Sequence, residues 1–228
     1  MSDQSIEEFL RLLRKSPSGP VFNPWWQVDK ENDVGRIAPG IRREQLRAYF
    51  CDRLGQARLA LVGEALGYRG GHFTGIPMTS ERIILGRNDN VGIQEKSFFS
   101  GITPRRTSRR ENSPDGFSEP TATIVWSSLL RLGLLPQQFV LWNAFPWHSF
   151  EPRRGLLSNR APSNAEQSAG LPVLKAFLKS FADAKVVALG RVAAEQLNAL
   201  GFSAHCVRHP ACGGAKLFRQ QIARLGSF

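Results

Sequence analysis

The chain has 228 residues, 42% of them hydrophobic, which is room for one α/β domain with a real core, and no composition shift demands a second. No apolar run approaches the ~20 residues that span a bilayer. The formal charge of +11 and a pI near 10.4 favour a polyanionic partner, because Lys and Arg displace counterions from phosphates. Met1–Lys15 lacks the basic start and apolar middle of a signal peptide, so a cytoplasmic protein is expected. The three cysteines, Cys51, Cys206 and Cys212, form no C-x-x-C pair, which argues against a cysteine-built metal site or a disulfide framework. They are expected as free thiols, at least two of them buried.

An amphipathic helix is predicted over Gln4–Arg14, with Ile6, Phe9, Leu10 and Leu13 on its apolar face. Ser16-Pro-Ser-Gly-Pro20 ends it, and Asn23-Pro-Trp-Trp26 follows as a loop. A second, Arg-rich helix is predicted over Ile41–Leu54. Short apolar runs at Arg58–Gly63, Gln138–Asn143, Lys185–Gly190 and, more weakly, Ser203–Arg208 read as strands. Helical patterns fill Thr121–Leu132, Asn164–Phe181, Val192–Leu200 and Gly214–Leu225. Continuous apolar strands alternating with helices predict an α/β fold. Its form is a three-layer α/β/α sandwich around a central, mainly parallel four-stranded sheet. The whole chain, 1–228, reads as one domain with a helical N-terminal segment over 1–57 and an irregular basic insertion over 82–119. The insertion holds Arg105, Arg106, Arg109 and Arg110, which read equally as a nucleic-acid contact or a solvated charged loop. No internal repeat is present, and no coiled-coil pattern or exposed apolar stripe argues against a monomer.

The chemistry-bearing residues follow the strands. After the first comes Gly63-Glu-Ala-Leu-Gly-Tyr-Arg-Gly-Gly71 and then His72-Phe-Thr-Gly-Ile-Pro-Met-Thr-Ser-Glu81. After the second comes Asn143-Ala-Phe-Pro-Trp-His148, and after the fourth Arg208-His-Pro-Ala-Cys-Gly-Gly214. In a parallel sheet these ends converge on one edge, where such folds bind ligands. The glycine-rich turn is neither G-x-G-x-x-G nor a P-loop. Singly, each stretch reads as an ordinary turn; the three in this order are far more specific.

That order, Gly-Glu-Ala-x-Gly, Asn-Ala-Phe-Pro and Arg-His-Pro-x-x-Gly-Gly, resembles the uracil-DNA glycosylase superfamily over roughly Leu59–Leu225. The resemblance implies a DNA-repair hydrolase that frees uracil from its sugar, with DNA as partner and no metal or cofactor. Asn143 falls at the base-reading asparagine and His209 at the histidine of the final motif. An amide can accept from uracil N3–H and donate to O4, whereas cytosine presents the opposite pattern. His209 is the candidate donor to the charge developing near O2 as the base leaves. Gly63, Glu64 and Ala65 offer backbone N–H groups to the pocket, and Tyr68 is a further candidate for its wall. A flipped base needs a stacking partner; Met78 stands at the family's aromatic position, and Phe73 is the alternative, with core packing its competing role. Arg208, Lys216 and Arg219, with the Gly213-Gly214 backbone and the Arg105–Arg106 pair, are candidate DNA contacts.

The resemblance marks an atypical member. Many relatives carry an Asp that positions the attacking water where this chain has Ala65; Glu64, His72 and His148 are possible substitutes, although His148 reads more readily as a satisfied loop residue. No large side chain follows His209 to wedge into a duplex. The branch of the family with an iron–sulfur cluster uses four cysteines, so a cluster-free relative is implied. Alternatives are excision of hypoxanthine, xanthine or mismatched thymine, or a non-catalytic DNA-binding relative.

Overall fold

All four apolar runs become strands of one sheet. The computed structural model describes residues 3–225, so the outermost residues of the expected 1–228 domain lie outside the described residues. In chain order the elements are α1 (Asp3–Leu13), β1 (Val21–Phe22), α2 (Ala38–Cys51), β2 (Leu59–Ala65), α3 (Gly71–Thr74), α4 (Glu81–Ile84), α5 (Pro120–Arg131), β3 (Phe139–Phe145), β4 (His148–Ser149), α6 (Asn164–Ser180), β5 (Lys185–Leu189), α7 (Arg191–Ala199), β6 (His205–Val207) and α8 (Ala215–Arg224). The main sheet has the order β3-β2-β5-β6, and every pairing in it is parallel. All seven residues of β3 are buried, as expected of a strand covered on both faces by helices. The expected three-layer α/β/α sandwich is the observed architecture.

β3 is an edge strand, and its open side is closed by α2. The Leu141 N–H donates to the Tyr49 hydroxyl at 2.9 Å, and Arg53 Nε donates to the Phe139 carbonyl at 3.0 Å. Both side chains are fully buried, and the Arg53 guanidinium lies over the Tyr49 ring. An edge whose backbone groups find side-chain partners no longer offers a template for pairing. The apolar face predicted for the first helix is also seen: Ile6, Phe9, Leu10 and Leu13 are buried, with the Phe9 ring 5.1 Å from that of Trp142.

The opposite edge differs from expectation. β6 has three residues rather than six, and only Val207 of them is buried. Cys206 is therefore exposed, as are Cys51 at the end of α2 and Cys212 in the loop before α8. The expectation that at least two cysteines are buried is corrected: an edge strand covered on one side, a helix end and a surface loop leave all three outside the core.

The segment over 82–119 is also more ordered than its composition suggests. Glu81 is fully buried and its carboxylate gathers the segment's backbone. Oε1 accepts from the N–H groups of Thr107 and Ser108 at 2.8 and 3.0 Å; Oε2 accepts from the Ser108 hydroxyl and from Phe117 N–H. A single bridge pairs Ser108 with Asp33, and Phe98 and Phe99 enter the core. Beneath it lies a buried ion pair, Arg42–Asp33, whose Arg42 Nη1 also donates to the Pro24 carbonyl at 2.9 Å. Buried charges persist when paired and hydrogen-bonded in this way.

Two short strands escaped prediction. β1 and β4 pair antiparallel, Val21 with Ser149 and Phe22 with His148. Two residues are too few to show a period, yet this pair fixes the chain just beyond the end of β3.

Candidate active site

The carboxyl ends of β2 and β3 open into a cavity of about 320 Å³, within the size range of small-molecule sites. β2 is buried as far as Gly63 and becomes half-buried at Glu64 and Ala65, where it enters the cavity wall. Asn143 and His209 line the same space, with Met78 beside them. The structure thus brings together six candidates drawn from three distant motifs: Gly63, Glu64, Ala65, Met78, Asn143 and His209.

Register places the amide. Gly63 pairs with Asn143 across the parallel β2–β3 ladder. A Cβ at 63 would lie 2.6 Å from Asn143 Oδ1, so glycine leaves the space that the amide occupies. Asn143 is 1% exposed, and its Nδ2 has no hydrogen-bond partner among the described residues. A buried donor without a partner costs about 1–3 kcal/mol, which a ligand acceptor can offset. Met78 Sδ approaches the same point on Gly63 at 3.4 Å. Met78 itself has a positive φ of 49°, a conformation that non-glycine residues adopt at a cost and that gathers at functional sites. Its carbonyl accepts from the Trp126 indole at 3.1 Å, which helps to hold it there.

His209 is half-buried in the loop after β6. The Ala211 N–H donates to its Nδ1 at 3.1 Å, which leaves Nε2 to carry the proton of the neutral ring. Burial first, and the neighbouring Arg208 charge second, push its pKa below the ordinary value. The group in the cavity wall is therefore a neutral imidazole with one N–H to donate. Gly214 closes this loop: a Cβ there would collide with the His209 carbonyl, and Cys212 and Gly213 before it both have positive φ. Glu64 is half-buried, and burial raises its carboxyl pKa.

Other candidates stand elsewhere. Phe73 does not line the cavity; it is fully buried and stacks on Phe117 with ring centroids 4.2 Å apart. The aromatic alternative for base stacking is corrected accordingly, since this ring is already paired. Tyr68 is half-buried outside the lining, with the Arg69 guanidinium over its ring.

His72 and His148 do not line the cavity either. They form a buried polar chain. His72 Nε2 lies 3.1 Å from Asp29 Oδ2, His72 Nδ1 lies 3.1 Å from His148 Nδ1, and His148 Nε2 lies 2.7 Å from the Ser158 carbonyl. Burial pushes both ring pKa values down, to about 4 for His72 and about 3 for His148. Burial alone would raise Asp29, but hydrogen bonds from His72 and Asn32 bring it down to about 2. Each Nε2 faces an oxygen acceptor, so in two neutral rings the protons sit on Nε2 and the two Nδ1 atoms meet without one. The chain ties β4 to the segment before Asn159, which lines the cavity.

Of the candidate DNA contacts, Arg208, Gly213 and Lys216 are exposed beside His209, as is Arg219, while Gly214 is buried. Arg106 is spent internally: its guanidinium donates to the carbonyls of Ser108, Arg109, Ser113 and Pro114. Arg109 likewise donates to the carbonyls of Asp33 and Lys30. Arg105 is exposed but paired with Glu44. The expectation that the Arg105–Arg106 pair meets phosphate is corrected for Arg106, whose donors already hold the loop's own backbone.

The sequence reading missed Glu119, Thr121, Ser149, Asn159 and Arg160, all of which line the cavity. Arg160 is held by Glu166 at 2.6–2.7 Å, and Glu166 in turn completes a capping box with Ser163 at the start of α6. Glu119 stands just before Pro120, and in sequence it signals only a helix start.

Residues 49–223 match the family model of the uracil DNA glycosylase superfamily, and the chain belongs to that superfamily of DNA glycosylases. The fold is similar to that of wild-type SMUG2 from Pedobacter heparinus, seen in its crystal structure. The TM-score is 0.55 at 15% identity, over 97% of this chain and 96% of that one. No curated protein matches the sequence.

Proposed function

We propose that this protein hydrolyses the N-glycosidic bond of uracil in DNA and leaves an abasic site. The observation that carries the reading is Asn143: a buried amide in the cavity wall whose Nδ2 has no acceptor among the described residues. Uracil O4 supplies that acceptor, and uracil N3–H meets Oδ1 of the same amide. Cytosine would set its own amino group against Nδ2 and an unprotonated N3 against Oδ1, so the amide excludes it. His209 then donates from Nε2 toward O2, where negative charge grows as the bond to the sugar breaks. A neutral donor serves this purpose at pH 7, and the lowered pKa of His209 keeps the ring neutral. The target nucleotide must leave the stack to reach these groups. Arg208 and Lys216, exposed beside His209, are placed to meet the flanking phosphates.

The test is base release from single- and double-stranded oligonucleotides that carry uracil, thymine, cytosine, hypoxanthine or xanthine, read as strand breakage on heating in alkali. Uracil is expected to be released and cytosine left intact. Asn143→Asp is expected to lower uracil excision at least ~10²-fold, since a carboxylate repels O4. Release of a purine with uracil untouched overturns the substrate. Salt-dependent DNA binding with no base released from any strand overturns the enzyme.

A further inference from the structure

Hydrolysis of a glycosidic bond needs a group that receives a proton from the attacking water. Three titratable side chains of the cavity wall are candidates: Glu64, Glu119 and His209. His209 is committed as a donor, because Ala211 N–H occupies its Nδ1 and the proton sits on Nε2. Glu64 faces two spaces at once, since it also borders the groove beside β5 and β6 with Arg191 and Arg208. Glu119 faces the base cavity and not that groove.

We infer that Glu119 is the catalytic base of the site: it holds the attacking water and takes its proton. This rests on the glycosylase reading above. Four observations support it. Glu119 occupies the N-cap position of α5 and makes no cap hydrogen bond, so its carboxylate is not engaged by the helix N–H groups. Its Oε2 is buried and has no partner among the described residues. By contrast, two fully buried carboxylates are satisfied: Glu81 accepts four hydrogen bonds, and Asp33 is paired with Arg42. Finally, the carboxyl rests where two glycines leave room. A Cβ on Gly67 would lie 2.5 Å from Oε1, and one on Gly70 would collide with Oε2.

This cradle lies in the loop that follows Ala65, the last residue of β2, whose methyl group offers nothing to a water molecule. Ala65 brings no carboxylate to the cavity, and Glu119 at the N-cap of α5 brings one. Burial also pushes the Glu119 pKa up to about 7, close to the pH at which a general base works best. In the step, the bond between the base nitrogen and sugar C1′ breaks and its electron pair goes to the base. The water oxygen bonds to C1′ and one water proton passes to Glu119. The base leaves as an anion steadied by His209, and Glu119 then returns its proton to solvent.

The experiment is single-turnover uracil excision by the full chain, its Glu119→Gln and Glu119→Asp variants, and Glu64→Gln, from about pH 5.5 to 8.5. DNA affinity is measured in parallel. The unmodified protein is expected to speed up as pH rises through about 7. Glu119→Gln is expected to lose ~10²-fold or more and the pH-dependent rise, with DNA affinity unchanged. Glu119→Asp should recover part of the rate together with a rise. A Glu119→Gln variant that keeps both rate and pH profile overturns the assignment and leaves the glycosylase standing. So does a rise lost in Glu64→Gln but kept in Glu119→Gln. An unmodified protein that releases no base from any oligonucleotide overturns the reaction and this role together.

Discussion

Replacing Glu119 by glutamine keeps the shape of the side chain and removes one ionisable group, so its effect on folding stability should depend on pH. Burial raises this carboxyl from its ordinary 4.5 to about 7. The raised value means that the folded state holds a proton more tightly than the unfolded chain does. Between pH 4.5 and 7 the native protein therefore binds the extra proton, and its stability falls as pH rises through that window. Above about pH 7 the full destabilisation is present; below 4.5 it is gone. At ~1.4 kcal/mol for each pH unit the window corresponds to ~3.4 kcal/mol at most. The residue as a whole is only half-buried, and solvent screening lowers that figure. Glutamine also buries an unpartnered polar group, but that cost does not vary with pH. Urea denaturation of the two proteins at pH 5, 6, 7 and 8 isolates the titrating part. The difference in unfolding free energy should shift by ~1–2 kcal/mol in favour of Glu119→Gln between about pH 5 and pH 8. A difference that stays flat to within ~0.5 kcal/mol would show that the carboxyl is solvated or paired, and the reasoning fails.

Three further outcomes are expected. Gly63→Ala places a methyl group 2.6 Å from Asn143 Oδ1 and should push the amide out of register, lowering single-turnover uracil excision ~10²-fold. Arg42→Met leaves Asp33 as an unpaired buried charge and should cost ~3–5 kcal/mol in urea denaturation; adding Asp33→Asn should recover much of that loss. Arg208→Ala combined with Lys216→Ala should weaken DNA binding on all sequences and reduce the slope of log affinity against log salt by about 2, with the melting temperature little changed.

The secondary-structure frame was legible because strands buried on both faces write themselves as short apolar runs. β2 and β3 were placed to within a residue or two of their ends, and β5 likewise. β6 was overextended because Ser203 and Ala204 look strand-like but have no pairing partner along β5. The buried polar groups left no periodic trace. Asp29 meets His72, and Arg42 meets Asp33, across loops and helix faces whose neighbours only the folded chain defines. Arg106 was misread for the same reason: a basic cluster in sequence does not show which of its guanidinium groups will turn inward to backbone carbonyls.

The sequence alone determined the α/β class, the superfamily and the two residues on which the proposed reaction turns, Asn143 and His209, because these sit in local motifs at strand ends. Tertiary structure decided which side chains share their cavity. It brought Glu119 from the start of α5 against Gly67 and Gly70, and Asn159 and Arg160 from the loop before α6. It also withdrew Phe73 into a stack with Phe117. The physical reason is that a motif records local backbone requirements, whereas a pocket wall is made by chain segments far apart in sequence. Which of them lose water, and which remain without a partner, is settled only when the layers pack.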